Sequence, residues 1–306
     1  MSIKYTLRNC PGCNSKPPQK PHIFARKEAE YISFEDIQDY WVGLFNKKSH
    51  FNYYRCESCG LLFNKYYFTN EQLRKLYSNL EPNMSQVTKP LLLKTQNGYT
   101  KILNNYSSLT GNYLEIGPDV GLFLESNKAS LMNYDNYYLY EPNLSVHSEL
   151  KTLLADKNFF LNEDMNGFSK LTQNMIDDVV MIHVLDHIVD PYQTLVSLNE
   201  KLIKGGRVLI VTHDEQSLLK KLVGKRWPPF CLQHPQIYSQ KSIKKILNRA
   251  GFSVIHSGKT KNYFSLYYLL KHALWLVGIK IERLNLFGTL SIGLKLGNII
   301  TVAIKV

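Results

Sequence analysis

The stretch from residue 113 to 123 constrains the fold of this chain more than any other. A short apolar run, Tyr113-Leu114-Glu115-Ile116, feeds into Gly117-Pro118-Asp119-Val120-Gly121, and apolar Leu122-Phe123 follow. The glycines permit a tight turn and a close approach of backbone to a ligand. A strand, a glycine-containing turn and then a helix is the arrangement of nucleotide-binding α/β units. About twenty residues on, Tyr140-Glu141-Pro142-Asn143 closes a second apolar run. An acidic residue there is placed to accept hydrogen bonds from ribose hydroxyls.

Further apolar runs at 159–161, 179–184, 207–212, 252–256 and 299–304 complete seven expected strands with 113–116 and 137–140. The run at 179–184 is nearly continuous, as in a strand buried on both faces. The run at 207–212 follows a Gly205-Gly206 turn. Alternation of strands with helical stretches predicts a parallel sheet covered by helices on both faces. One helix is well punctuated: Ser239 as N-cap, Ile243, Ile246, Leu247 and Ala250 along one face, Gly251 just past the end.

The first 85 residues differ in kind. Cys10-Pro11-Gly12-Cys13 and Cys56-Glu57-Ser58-Cys59-Gly60 are two C-x-x-C knuckles separated by residues 14–55. Two such knuckles suit a closed tetrahedral Cys₄ site for structural zinc, with Cys10, Cys13, Cys56 and Cys59 as ligands. A redox pair or unmetallated thiols are the rival readings; a redox C-x-x-C would open a helix after a strand, whereas these sit beside glycines in turn-like settings. A closed site offers no open coordination position, so no chemistry is assigned to it. Cys231 stands alone and reads as an ordinary thiol. The expected division is a zinc-binding module over 1–85 and an α/β domain over 86–306.

The chain has 306 residues and a formal net charge of +12. The charge is uneven: residues 204–306 hold 17 Lys or Arg against three acids, Asp214, Glu215 and Glu282. A localised positive field suits an anionic partner, whether phosphate-bearing substrate, acidic membrane surface or nucleic acid; a plain solvated surface is the alternative. The N-terminus lacks the apolar core of a signal peptide. The apolar segment near 263–279 is interrupted by Lys271 and His272 and falls short of a spanning helix. A cytoplasmic protein is expected. The segment 263–296, apolar and basic, is expected to form a helical insertion capping a pocket or a membrane-surface helix.

At this point the sequence resembles the class I S-adenosylmethionine-dependent methyltransferases over about residues 86–306. Leu114-Glu115-Ile116-Gly117 looks like that family's first motif and Tyr140-Glu141-Pro142 like its second. Asn162-Glu163-Asp164-Met165 lies where the family contacts adenine. The run from Met181 to Pro191, with His183-Val184-Leu185-Asp186-His187 inside it, resembles the fourth-strand signature, and Lys204-Gly205-Gly206-Arg207 the turn before the fifth strand. The paired knuckles followed by Phe68-Thr69-Asn70-Glu71-Gln72-Leu73-Arg74-Lys75-Leu76-Tyr77 look like a bacterial subgroup that carries a zinc-binding region before the methyltransferase fold, many of whose members modify sugars or surface polysaccharides.

The resemblance implies a Rossmann-like seven-stranded sheet behind a small zinc-ribbon-like module. It implies S-adenosylmethionine as cofactor, held by Glu115, Gly117, Pro118, Asp119, Gly121, Glu141, Asp164, Met165 and His183. The implied acceptor is a carbohydrate, a nucleotide sugar or surface glycan, methylated at oxygen or, in a close variant, carbon. A hydroxyl acceptor needs a general base, and histidine suits that role near neutral pH. His187, His213 and His234 all fall near the carboxyl edge of the sheet, and His187 and His234 are the favoured bases. Trp227 and Tyr238 are read either as an aromatic platform or as core. Lys225 and Arg226 are read as phosphate contacts or as surface charges.

Two departures stand out: Asp119 replaces the middle glycine of the first motif, and Asp186 replaces a usual Glu. RNA methylation is an alternative reading, weakened because the positive charge lies outside the zinc module. A catalytically degenerate binding protein is another.

Overall fold

The computed structural model describes residues 5–25, 31–41, 49–77, 87–276 and 290–306. Its centre is a seven-stranded sheet. The strands are β1 (Asn112–Ile116), β2 (Asn136–Tyr140), β3 (Phe159–Asn162), β4 (Ile176–Ile182), β5 (Leu202–His213), β6 (Phe252–Lys259) and β7 (Asn298–Lys305). Their spatial order is 6-7-5-4-1-2-3. Strands β1 to β5 run parallel, and β7 inserts antiparallel between β5 and β6.

Side-chain alternation divides the core in two. Leu114, Ile116, Tyr140, Val179, Met181, Val208 and Ile210 face one apolar cluster. Tyr113, Tyr137, Leu139, Val180, Leu209 and Val211 face the other. Burial on both faces is why the central strands read as unbroken apolar runs. The one buried carboxylate at the amino end of β4 is fully partnered: Asp178 accepts from Ser107, from the Tyr134 hydroxyl at 2.7 Å and from Arg207 Nε at 2.7 Å.

All seven expected strands form, with shifted edges. Strand β4 ends at Ile182, because His183 turns into the left-handed region at φ 54°. Strand β5 begins at Leu202, before the Gly205-Gly206 turn. Leu202 pairs with Ile176 and Arg207 with Asp178, so the intervening residues bulge out, with Gly205 at φ 76°. The helix Gln240–Arg249 is capped as expected: Ser239 and Ser242 form a reciprocal capping box, and Gly251 at φ 87° ends it.

The segment after β6 is more than a helix. Asn262–Ser265 and Ser291–Leu294 pair antiparallel around the helix Leu266–Leu276, and Val277 lies outside the described residues. Among the described residues no helix is long and apolar enough to cross a membrane.

The N-terminal residues pack directly on the sheet. A hairpin of Tyr53–Arg55 and Leu62–Asn64 carries the second knuckle at its turn. Gln236–Ile237 adds a third strand to that hairpin from far along the chain. Cys10, Tyr54, Cys56, Cys59, Leu61 and Phe63 belong to the same buried cluster as Leu114, Val179 and Tyr238.

Candidate active site and metal centre

The turn after β1 is built for close approach. Gly117, Asp119 and Gly121 all have positive φ, at 68°, 51° and 76°. A Cβ on Gly117 would lie 2.6 Å from Val184 Cγ2, and one on Gly121 2.6 Å from Leu153 Cδ2. Asp119 adopts the left-handed conformation that a third glycine would have taken, which Asp tolerates better than most residues. Pro118 is buried within the turn, and its carbonyl accepts the Gly121 N–H at 2.9 Å.

Glu141 fixes this turn to the end of β2. Its Oε2 accepts the Asp119 N–H at 2.9 Å, and its Oε1 accepts the Asn143 N–H at 2.8 Å. Each oxygen keeps a lone pair for ribose hydroxyls. Burial raises the Glu141 and Asp119 carboxyls above their ordinary values. Glu115, buried beneath the turn and hydrogen-bonded by the Tyr113 hydroxyl at 2.6 Å, is pushed up to about 8 by burial. A cationic ligand would reverse that shift. The turn, the twin-oxygen edge of Glu141 and the buried acid fit S-adenosylmethionine.

Asp164 is exposed after β3 and lines a cavity of about 320 Å³ with Tyr138, Tyr140, Phe160 and Asn162. Met165 packs half-buried against the core on the same sheet face.

At the carboxyl ends of β4 and β5 lies a cluster of four histidines around one aspartate. His183 contacts His213 at 4.7 Å between ring centroids, His213 contacts His234 at 4.7 Å, and His187 contacts His234 at 4.5 Å. Asp186 is fully buried. Its Oδ2 accepts from His213 Nδ1 at 2.5 Å and from the His213 backbone N–H at 3.2 Å. With Nδ1 donating, the lone pair of neutral His213 sits on Nε2. Burial lowers His213 below its ordinary value although Asp186 pulls it up, and the neighbouring imidazoles hold Asp186 well below the carboxylate range against burial.

His187 and His234, the favoured bases from sequence, meet Nε2 to Nε2 at 3.2 Å, so one proton lies between them. His234 Nδ1 donates to the Pro229 carbonyl at 2.7 Å and lies 3.3 Å from the Cys231 sulfur. Burial opposes charge on His234, but Cys231, Asp186 and Pro229 outweigh it and push it up to about 9. Burial and the facing His234 push His187 down to about 3. His234 therefore carries the shared proton. The Tyr77 hydroxyl lies 3.5 Å from His187 Nδ1, bringing the helix Asn70–Tyr77 to the cluster.

His183 is oriented by Asn298 of β7, whose amide donates to Nε2 at 3.2 Å. Its proton is then on Nδ1, and that buried atom has no partner among the described residues. Burial pushes His183 down to about 3. Asp186 Oδ1 is likewise buried without a partner.

Trp227 and Tyr238 resolve to core, at 1% and 0% exposure, and form no platform. Lys225 and Arg226 are exposed on a short turn after Val223. Asp186 stands out in the sequence only as a departure from the usual Glu, and Asn298 and Tyr77 carry no site signal there. The spacing of His183 and Asp186 was visible there, but the partners of each come from other strands and from the N-terminal region.

The four knuckle sulfurs converge. Cys10 and Cys59 sulfurs are 3.4 Å apart, as are those of Cys13 and Cys56, and all four lie within 4.8 Å of one another. A tetrahedron with Zn–S near 2.3 Å requires S···S of roughly 3.8 Å. The hydrogen bond between Cys10 and Cys59 pushes Cys59 down to about 5 and Cys10 up, so the two sulfurs share one proton. These four residues can hold zinc.

The loop presenting His234 is held by this N-terminal framework. Tyr53 donates to the His234 carbonyl, Tyr67 donates to the Leu232 carbonyl at 2.7 Å, and Arg55 pairs with both oxygens of Glu215 at 2.9 and 3.0 Å.

A solved S-adenosylmethionine-dependent methyltransferase from Archaeoglobus fulgidus is similar at 17% identity and a TM-score of 0.49, covering 71% of this chain and 95% of that one. One from Mesorhizobium loti is similar at 12% identity and a TM-score of 0.47, covering 70% and 100%. One from Methanosarcina mazei is similar at 14% identity and a TM-score of 0.44, covering 67% and 97%. No curated protein matches the sequence. The model of a family described as the methyltransferase domain matches residues 91–257, which is more than half of the chain. That match runs from the helix before β1 into β6 and takes in the glycine turn, Glu141 and the histidine edge, and the chain belongs to the methyltransferase domain family as a class I S-adenosylmethionine-dependent methyltransferase.

Proposed function

We propose that the protein methylates a hydroxyl of a carbohydrate acceptor, a nucleotide sugar or surface glycan, with His213 as the proton acceptor. The observation that carries this is the Asp186–His213 pair, joined at 2.5 Å at the carboxyl edge of the sheet. Asp186 fixes the tautomer that leaves Nε2 as the basic atom, as a carboxylate does behind a catalytic histidine. S-adenosylmethionine supplies an electrophilic methyl group on a sulfonium. His213 Nε2 would take the acceptor hydroxyl's proton as the methyl group passes from the sulfonium, which leaves as a neutral thioether, to the oxygen, and Asp186 would stabilise the imidazolium.

A polyhydroxylated ring suits the cluster's unmet hydrogen bonds. Asp186 Oδ1 needs a donor and His183 Nδ1 needs an acceptor, and both are buried. A sugar hydroxyl does both. We also propose that Cys10, Cys13, Cys56 and Cys59 bind zinc structurally.

The test is a methyl-transfer screen over nucleotide sugars and free glycans with wild type, Asp186→Asn and His213→Gln. Transfer to a sugar that both variants lose, with cofactor binding retained, supports the proposal. Transfer to RNA alone, or full activity in both variants, would refute it.

A further inference from the structure

Helix Leu218–Val223 follows β5 directly and is short, yet it presents leucines on two sides. Leu219 and Val223 pack inward against a small cluster around Trp227 and Phe230. Leu218 and Leu222, one turn apart, point out and are 52% and 73% exposed. Core packing accounts for the first pair and, among the described residues, leaves the second without an intramolecular role. Single exposed leucines are ordinary, but these do not stand singly. Phe24, 53% exposed, has the Lys225 ammonium 5.9 Å from its ring centre. The Leu219 N–H donates to the Leu296 carbonyl, which ties the helix to the strand Ser291–Leu294, where Leu290 and Ile292 are also exposed.

Cations surround these side chains. Lys221, Lys225 and Arg226 are exposed beside Leu222, and Lys295 beside the strand. The sequence holds no Asp or Glu between Glu215 and Glu282. The two acids nearest the helix are turned inward: Asp214 and Glu215 are 3% and 2% exposed, and Glu215 is bound by Arg55. Among the described residues the face is therefore positive and acid-free, with apolar tips standing out of it.

We infer that this face, formed by helix Leu218–Val223, the following turn and the strand Ser291–Leu294, docks on an anionic lipid bilayer. Lysines and arginine lie at the headgroups while leucine and phenylalanine tips enter the acyl boundary. An RNA would engage the cations but would have no use for protruding leucines. The inference deepens the proposed function: the acceptor glycan would be attached to a lipid carrier, with the protein seated on the same surface. The helix begins at Leu218, a short turn beyond His213 at the carboxyl end of β5, which sets the docked face on the side of the reaction edge.

The test is co-sedimentation of the full chain with vesicles, without cofactor or acceptor, so that its outcome is independent of methyl transfer. Vesicles of phosphatidylcholine with phosphatidylglycerol are compared with pure phosphatidylcholine, at low and high salt. Partition onto the anionic vesicles, weakened by salt and reduced about tenfold or more in Leu222→Glu, is expected. Thermal melting of that variant should match wild type because Leu222 is exposed. No partition, equal partition on both vesicles, an unchanged Leu222→Glu, or displacement from vesicles by RNA with equal binding of RNA by the variant would each overturn the inference.

Discussion

The Tyr53 hydroxyl donates a hydrogen bond to the carbonyl oxygen of His234 at 2.7 Å, across 181 positions of sequence. A residue of the cysteine-bearing hairpin thus sets the backbone of a histidine in the candidate active site. Tyr53→Phe should leave that carbonyl buried without this donor. The expected cost is about 1–3 kcal/mol of stability, with acceptor turnover falling more than cofactor affinity. Denaturant unfolding and steady-state kinetics on the same variant check both parts.

Zinc removal should act through the same hairpin. The four cysteines share a buried cluster with the sheet, so Cys56→Ala or chelation is expected to lower the melting temperature of the whole chain in one transition. Metal analysis of the purified protein should give about one zinc per chain. A lost metal with an unchanged melt would mean that the knuckles fold without it.

Asp186→Asn keeps the size of the side chain and removes the charge behind His213. A fall of about 10²–10⁴ in turnover is expected because the proposed base His213 loses the carboxylate that fixes its tautomer, while the cofactor affinity measured by calorimetry stays close to wild type. Gly117 and Glu141, expected to hold the cofactor, directly follow β1 and β2 and do not bond to Asp186.

His213 acts only when neutral, and burial lowers its protonation below the ordinary value near 6.5. Activity should therefore be level through neutral pH and fall on the acid side, with its midpoint below that ordinary value. Asp186 raises His213, so in Asp186→Asn the residual activity should keep its acid limb at still lower pH. A pH profile of kcat/KM for the two proteins is the measurement.

Gly117→Ala adds a Cβ at 2.6 Å from Val184 and requires a non-glycine residue at φ 68°. A loss of about 1–3 kcal/mol in stability is expected, together with weaker cofactor binding as the turn shifts. Glu141→Ala, by contrast, should lose cofactor affinity because both the turn bond to Asp119 and the ribose acceptor disappear.

The sequence by itself determined the parts governed by local rules. Apolar periodicity located all seven strands, glycine spacing located the turn with positive φ at Gly117 and Gly121, and capping chemistry located the helix after Ser239. The C-x-x-C spacing identified the four cysteines, and the fold set Cys10 beside Cys59 and Cys13 beside Cys56. Tertiary structure decided which histidine has a carboxylate behind it. His213 and Asp186 sit 27 positions apart on neighbouring strand ends, and no local pattern distinguishes that pairing from one with His187 or His234. It also decided that Trp227 and Tyr238 are core, and that β5 starts early through a bulge that periodicity does not mark. The physical reason is range. Backbone conformation and amphipathic burial are set by near neighbours in sequence. The protonation and orientation of a buried imidazole are set by whatever charge and donor the fold places within about 3 Å.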